Sequence, residues 1–359
     1  MLRIAHILGK THDSDAEHTV MNYYRAVDRN EIQFDFFLCK GSEYLPAEEI
    51  KELGGRIFVL PPAVERARYS KVLQQLLSEN SYDIVHCHLQ PLAAISLKAA
   101  KDAGVKNRIL HCHDGAKKAG SAKKYATGLL ADCESNARKC FGAMPVCALN
   151  EEAPPVTVAR TLPAAVDVSK YHSSPSHEIR KRLNIPNSSL VFSCVGELCS
   201  KNNQGFLIDV FKEILNDNKN AVLVIAGNGK DSEFLKARIT ASGVSDRIIM
   251  LHRATEELYS AFDCFLLPQK KSGFPLSAVE AQAAGLYCIF SDAVYQEAKL
   301  TDSAQFLPLK AGSSDWACAA LCCARLRNKK SAEQLKTAGY DITECAKELQ
   351  KYYLTLRES

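Results

Sequence analysis

The sequence predicts an α/β protein of two domains, each built on a parallel sheet. Three observations carry this. At 359 residues the chain exceeds one ordinary core and suits two domains of ~150–180 residues. Short apolar runs alternate with amphipathic helical patterns in both halves, and strands separated by helices imply right-handed crossovers. A Pro-rich, irregular stretch from Pro154 to Pro163 divides the two series. The expected domains are therefore 1–160 and 161–335, with a terminal helix at 336–359.

In chain order, residues 3–8 read as a strand and 19–27 as a helix whose apolar face is Val20, Tyr23, Tyr24 and Val27. Strand 34–38, helix 46–53 and strand 56–60 follow, the last entered through Gly54 and Gly55. Next come helix 70–79, strand 84–88, helix 92–103 and strand 108–112. Strand 127–131 and helix 136–141 close this half. The second half reads as strand 190–195, helix 206–217, strand 221–226, helix 231–242, strand 248–251 and helix 256–262. Beyond a motif described below lie helix 314–327 and an amphipathic stretch at 331–356, with Leu335, Ile342, Ala346, Leu349, Tyr352 and Tyr353 at helical spacing.

Composition excludes several classes. Hydrophobic content of 47% with 24% charged residues is that of a globular protein, and no apolar run approaches the ~20 residues of a membrane span. The opening MLRIAHILGK lacks the apolar length and cleavage site of a signal peptide and reads as the first strand. A net charge of +4 argues against nucleic acid and allows no more than weak contact with an anionic membrane surface. Fourteen cysteines, half of them in apolar segments (Cys87, Cys112, Cys194, Cys264, Cys288, Cys322, Cys323), read as small core residues of a reducing compartment. The expected location is the cytoplasm, at most peripheral at the inner membrane face.

The most informative stretch is FLLPQKKSGFPLSAVEAQAAGLYCI, 265–289. A strand stopped by Pro268 leads into a small-residue turn, a helix ended by Gly285, and a second strand. That unit is half of a nucleotide-binding α/β sheet, with the helix N-terminus facing bound anions. In detail it resembles the donor-sugar motif of the retaining, family-4-type glycosyltransferases with GT-B fold, which include capsular and exopolysaccharide transferases. Their pattern is Glu-Gly-[Phe/Leu]-Pro, four residues, then Glu-Ala. Gly273, Phe274, Pro275, Glu280 and Ala281 match it, and Ser272 stands in place of the first glutamate. IAHILG, YDIVHCH, RILHCHD, VGELCSKNNQGFLIDVF, IAGNGK and AGYDITECAKELQKYY extend the resemblance over nearly the whole chain. It implies two Rossmann-like domains whose parallel sheets face each other across a cleft, and a C-terminal helix returning to the N-terminal domain.

The resemblance also implies site residues. Transfer from a nucleotide-sugar requires positive charge and N–H groups at the departing diphosphate. The family places Arg after Val-Gly and Lys five residues on; here Glu197 follows Gly196 and Asn202 holds the second place. Lys201, one residue early, either reaches the same volume or points to solvent. Gly9 ends the first strand, but Ser14 and Asp15 stand where relatives carry a Gly-Gly approach to the diphosphate. The linker reads Pro163-Ala164-Ala165-Val166-Asp167, without the family's Asn-Gly. Ser272 would offer the sugar one hydrogen bond. Glu280 either holds the ribose hydroxyls or is a helix-start glutamate favoured by the dipole. Gly273, Phe274, Pro275 and Leu276 would present the N–H groups of the anion site.

His86, Cys87, His88 and His111, Cys112, His113 end two strands that should be neighbours. In each triplet the histidines share a face and the cysteine points away. The resemblance puts His113, followed by Asp114, beside the acceptor; packing at the strand end is the alternative. Two such triplets also resemble a ligand set, but relatives carry His-x-His without metal. No metal or other cofactor is expected, and the nucleotide-sugar is substrate. The segment after His113 is short, and its Lys117, Lys118, Lys123 and Lys124 read as a solvated loop or a weak lipid-phosphate contact. The expected function is retaining transfer of a sugar from a nucleotide-sugar to a saccharide or lipid-linked acceptor in cell-surface polysaccharide or glycolipid assembly. The alternative is a catalytically inactive relative serving a partner glycosyltransferase or binding a ligand, since losing two cations would cost several kcal/mol at ~1.5–3 kcal/mol per charge-assisted hydrogen bond.

Overall fold

The computed structural model describes residues 1–11, 14–42, 45–89, 93–113, 139–142, 159–271 and 273–358. The chain forms two compact units, Met1–Ala164 with Ile342–Ser359, and Ala165–Asp341.

The first unit runs β1 (Leu2–Gly9), α1 (Asp15–Ala26), β2 (Ile32–Cys39), α2 (Ala47–Glu52), β3 (Arg56–Leu60), α3 (Arg66–Asn80), β4 (Ile84–Cys87), α4 (Ala93–Asp102), β5 (Asn107–Cys112), β6 (Lys139–Gly142) and β7 (Ala159–Thr161). The described strands form a parallel sheet in the order β3-β2-β1-β4-β5-β6-β7. The order reverses between β1 and β4, the switch point at which doubly wound sheets bind ligands beyond the strand ends. β2 is buried at every position because both faces are covered. Asp35 sits fully buried within it, and burial raises its pKa. Arg3 Nε at 2.9 Å, Arg56 Nη2 at 2.6 Å and Tyr82 OH at 2.6 Å more than offset this and hold it below the ordinary carboxylate value.

The second unit begins with α5 (His177–Arg182), β8 (Val191–Val195), α6 (Gln204–Asp217), β9 (Val222–Ala226), α7 (Ser232–Ala241) and β10 (Ile248–Leu251). It continues with β11 (Cys264–Leu267), α8 (Leu276–Ala283), β12 (Tyr287–Phe290), β13 (Ala304–Phe306), α9 (Gly312–Cys323) and α10 (Ser331–Thr337). Its parallel sheet has the order β10-β9-β8-β11-β12-β13, with the switch between β8 and β11. One face buries Phe192, Leu207, Phe211, Leu223, Leu266 and Trp316. Arg180 and Asp263, both under 5% exposed, pair at 2.8 Å beneath it.

The terminal helix α11 (Ile342–Glu358) belongs to the first unit and packs on α1. Its Tyr353 hydroxyl meets His86 Nδ1 at 2.5 Å, its Gln350 accepts from Asp28 N–H at 2.9 Å, and Asn107 donates to the Leu356 carbonyl at 2.9 Å. No helix among the described residues is long and apolar enough to cross a membrane.

Four local readings are corrected. Residues 139–141, expected to end a helix over 136–141, belong to β6, because pairing with β5 from Ile109↔Lys139 to Cys112↔Gly142 overrides a weak helical pattern. The stretch expected to be irregular contributes β7 at Ala159–Thr161. The amphipathic run at 331–356 is two helices, broken where Gly339 takes φ +80°. Residues 256–261 are a 3₁₀ turn. Cys322 is exposed, while Cys39, Cys87, Cys194, Cys199, Cys264, Cys288 and Cys345 are buried free thiols. The strand expected at 127–131 lies outside the described residues.

Candidate functional site

In the second unit the loops after β8 and β11 meet at the switch point, where Lys270 N–H donates to the Lys201 carbonyl at 2.8 Å. The β8 loop is shaped by side-chain amides. Asn202 Nδ2 and Gln204 Nε2 both donate to the Glu197 carbonyl at 2.8 Å, and Gln269 Nε2 donates to Asn202 Oδ1 at 3.0 Å. Asn202 is thus buried and bonded at both ends of its amide, while the Glu197 side chain is exposed. Behind the loop, Gly227 and Gly229 press backbone on backbone. A Cβ on Gly227 would lie 2.0 Å from the Gly196 carbonyl oxygen, and one on Gly229 2.4 Å from that of Leu198. Lys201 turns its side chain toward the β11 loop, its Nζ 3.6 Å from where a Gly273 Cβ would stand. Gln269 Oε1, buried and without a hydrogen-bond partner, is 3.9 Å from that same point. Phe274 is buried and stacks on Tyr340 at 5.6 Å, which fixes the turn that starts α8 behind Pro275. Ser272 lies outside the described residues.

Glu280, on α8, is held by two phenols: Tyr259 OH donates to one carboxylate oxygen at 2.6 Å and Tyr171 OH to the other at 3.2 Å. Burial first, and then the neighbouring carboxylate, push the Tyr171 hydroxyl well above its ordinary pKa, so it stays a donor.

In the first unit His6, His86, His88, His111 and His113 gather on one face of β1, β4 and β5. Neighbouring rings lie 4.0–5.3 Å apart, the closest pair being His111 with His113. Cys87 points to the opposite face, into the core under α3 and α4. His6 Nδ1 and His88 Nε2 are 2.9 Å apart, as are His88 Nδ1 and His113 Nε2. Burial drives the His6 pKa to about 3 and those of His86, His88 and His111 well below the ordinary value, so these rings are neutral near pH 7. Two trios, His6-His86-His88 and His88-His111-His113, bring ligand atoms within 4.8 Å of one another. His88 is in both, and each of its nitrogens already bonds another histidine, so a metal in either trio would have to break one of those bonds.

Residues 175–342 match the family of glycosyl transferases, group 1. The match spans most of the second unit. The chain is 26% identical over 313 residues to EpsF of Bacillus subtilis (strain 168), assigned as a glycosyltransferase, covering 82% of this chain and 80% of EpsF. It is 27% identical over 283 residues to the Escherichia coli UDP-Gal:alpha-D-GlcNAc-diphosphoundecaprenol alpha-1,3-galactosyltransferase, with 72% of each chain covered. Among solved structures it is similar to Anabaena Alr3699/HepE in complex with UDP-glucose, at TM-score 0.78 and 15% identity over 99% of this chain and 100% of that one. This likeness, with the two parallel sheets and the returning helix, gives the glycosyltransferase architecture known as GT-B.

Within the second unit the structure brings together Gly196, Lys201, Gly273, Phe274, Pro275 and Leu276 around the β8 and β11 loops, with Glu280 one helical turn on. In the first unit Gly9 takes φ +72° at the end of β1. Ser14 caps α1, and its N–H donates to Glu17 at 2.6 Å, as does its hydroxyl, so a side-chain carboxylate occupies this helix start; Asp15 adds a second acid there. Sequence reasoning missed Tyr171, Tyr259, Gln269 and His6, and named His88 without its hydrogen-bond partners. His6 lies in IAHILG and His88 ends the first His-Cys-His triplet, so position was visible and partnership was not. Tyr259 and Gln269 carry no local signal.

Proposed function

We propose that this protein transfers a sugar from a nucleotide-sugar to a saccharide or lipid-linked acceptor, with retention, in the cytoplasmic assembly of a cell-surface polysaccharide or glycolipid. The anomeric carbon exchanges its bond to the diphosphate for one to the acceptor oxygen on the same face, and the acceptor proton leaves with the diphosphate. Glu280 would accept the ribose hydroxyls. The N–H groups of residues 273–276 and the Lys201 ammonium would hold the diphosphate, with Gly9 and Gly196 allowing close approach and Ser272 offering the sugar a hydrogen bond. His113 would serve the acceptor. The observation that carries this reading is the doubly held carboxylate of Glu280 in the same loop system as a lysine that reaches Gly273.

A second reading, a glycosyltransferase-like protein without transfer activity that serves a partner transferase or binds a ligand, is favoured by Glu197 and Asn202. One is exposed and acidic, and the other has its amide consumed. Calorimetry with UDP, GDP and their sugars, followed by turnover with any nucleotide-sugar that binds, separates the two. Binding with turnover supports transfer, binding without turnover supports the second reading, and no heat for any nucleotide rejects the donor site itself.

A further inference from the structure

We infer that His6 and His88 are positioning residues that hold His113 as its Nδ1–H tautomer, so that His113 meets a substrate oxygen as a hydrogen-bond donor and not as a base. The substrate oxygen rests on the proposed function; the tautomer does not.

The inference follows from one atom. His6 is 1% exposed, and its Nε2 has no hydrogen-bond partner. A neutral imidazole carries one N–H and one bare lone pair. Orphaned N–H groups are rare in protein interiors, whereas an idle acceptor is the lesser loss. The ring lies 4.0 Å from Phe34, and the cavity beside it measures 10 Å³, at the lower limit for one water. The His6 proton therefore belongs on Nδ1, where it is donated to His88 Nε2 at 2.9 Å. With Nε2 accepting, neutral His88 carries its proton on Nδ1 and donates it to His113 Nε2, also at 2.9 Å. Nε2 of His113 is then an acceptor, and the proton of the neutral ring is on Nδ1. Running every bond the other way would strand an N–H on His6 Nε2. Charging His88 so that both its nitrogens donate is opposed by its burial.

The register makes the chain continuous. His6 pairs with His86 across β1 and β4, His88 follows two residues later on the same face, and its N–H is held by the Ile7 carbonyl at 2.9 Å. His113 is the half-buried end of the series. A general base at that end would need a lone pair facing substrate, and the chain directs its lone pair inward.

The test is the long-range proton–nitrogen NMR spectrum of the full chain labelled with nitrogen-15 histidine at pH 7.5, where the two ring nitrogens report which carries the proton. The expected result is a protonated Nδ1 in His6, His88 and His113. His6→Phe removes the first donor and should turn the single tautomer of His113 into a mixture; His6→Asn, which restores an amide N–H near the Nδ1 position, should return it. A wild-type His113 protonated on Nε2, or on both nitrogens, overturns the inference, and so does a His113 tautomer that is the same in His6→Phe. If His6→Phe does not fold, the wild-type spectrum decides. No nucleotide is needed, so an absence of donor binding in calorimetry would reject the proposed function and leave this result standing.

Discussion

The central strands of the two units, alike in order, are filled with different chemistry. β1, β4 and β5 carry His6, His86 and His111 inward, with His88 just past the end of β4, and β8, β11 and β12 carry Phe192, Cys194, Cys264, Leu266, Cys288 and Ile289. The buried thiols stay protonated; burial pushes Cys194 up to about 12 and Cys264 well above its ordinary value. The first unit therefore buries a cluster of neutral imidazoles at its central strands, where the second buries aromatic, aliphatic and thiol side chains. Acid should act on the stability of one, and nucleotide on the loops of the other.

The largest expected effect is acid lability confined to the first unit. Burial holds the pKa values of His6, His86, His88 and His111 below the ordinary imidazole value of about 6.5. Below that pH the unfolded chain binds protons that the native state refuses, so the stability is present above 6.5 and lost as pH falls toward the native values. At pH 5 the His6 ring alone costs about 2 kcal/mol, a large share of a domain stability of about 5–15 kcal/mol, and His86, His88 and His111 act in the same direction. Hydrogen exchange at pH 5, corrected for intrinsic rate and compared with pH 7.5, should show β1 and β4 deprotected while β8 and β11 stay protected. Equal loss in both units would break the comparison.

The next effect separates two glycines of the second unit. Gly227 has φ +151° and no room for a Cβ, so Gly227→Ala should destabilise this unit by about 2–4 kcal/mol. At Gly273 the nearest atom to a Cβ is 3.6 Å away, in ordinary contact. Gly273→Ala should therefore leave thermal stability within about 0.5 kcal/mol while weakening nucleotide binding, because the methyl group stands beside the Lys201 ammonium. A melting-temperature drop in Gly273→Ala as large as that in Gly227→Ala would remove the distinction between a structural and a ligand-facing glycine.

The same contrast explains what was legible in the sequence. The alternation of apolar runs and helical patterns is a local signal and is enough for two parallel sheets. Residues 139–141 were misread because the four residues of β6 carry too little periodicity and only pairing with β5 makes them a strand. At the site, Gly273, Phe274, Pro275 and Glu280 belong to one continuous segment and could be read together. The phenols that hold Glu280 lie 109 and 21 residues away, and the partner of His86 on α11 lies 267 residues away, distances at which only the folded chain makes neighbours. Asn202 illustrates the other failure. Its residue type suggested a weakened ligand contact, and only its two amide bonds reveal a structural peg.

Charge in the β8 loop gives the third prediction. With Asn202 occupied and Glu197 acidic, Lys201 is the cation at Gly273 on which the proposed donor site relies. Lys201→Met should reduce nucleoside diphosphate affinity about 10- to 100-fold, from ~1.5–3 kcal/mol for a charge-assisted hydrogen bond. Glu197→Arg should raise it, with a steeper dependence on salt. Calorimetry of both variants measures this, and an unchanged affinity in Lys201→Met would place the diphosphate elsewhere.

The smallest effect concerns how Glu280 is held. Tyr259 OH is 2.6 Å from one carboxylate oxygen and Tyr171 OH 3.2 Å from the other, so the longer bond contributes less to fixing the plane of the carboxylate. Tyr171→Phe keeps the ring and its edge contact with Tyr259 at 5.8 Å, and removes only the donor. A bond of about 0.5–1.5 kcal/mol corresponds to a loss of about 2- to 10-fold in nucleotide affinity, with little change in melting temperature. Tyr259→Phe should lose more, and the two together more than either. If Tyr171→Phe binds as wild type while Glu280→Gln binds poorly, the carboxylate acts without this phenol, and Tyr259 alone sets its orientation.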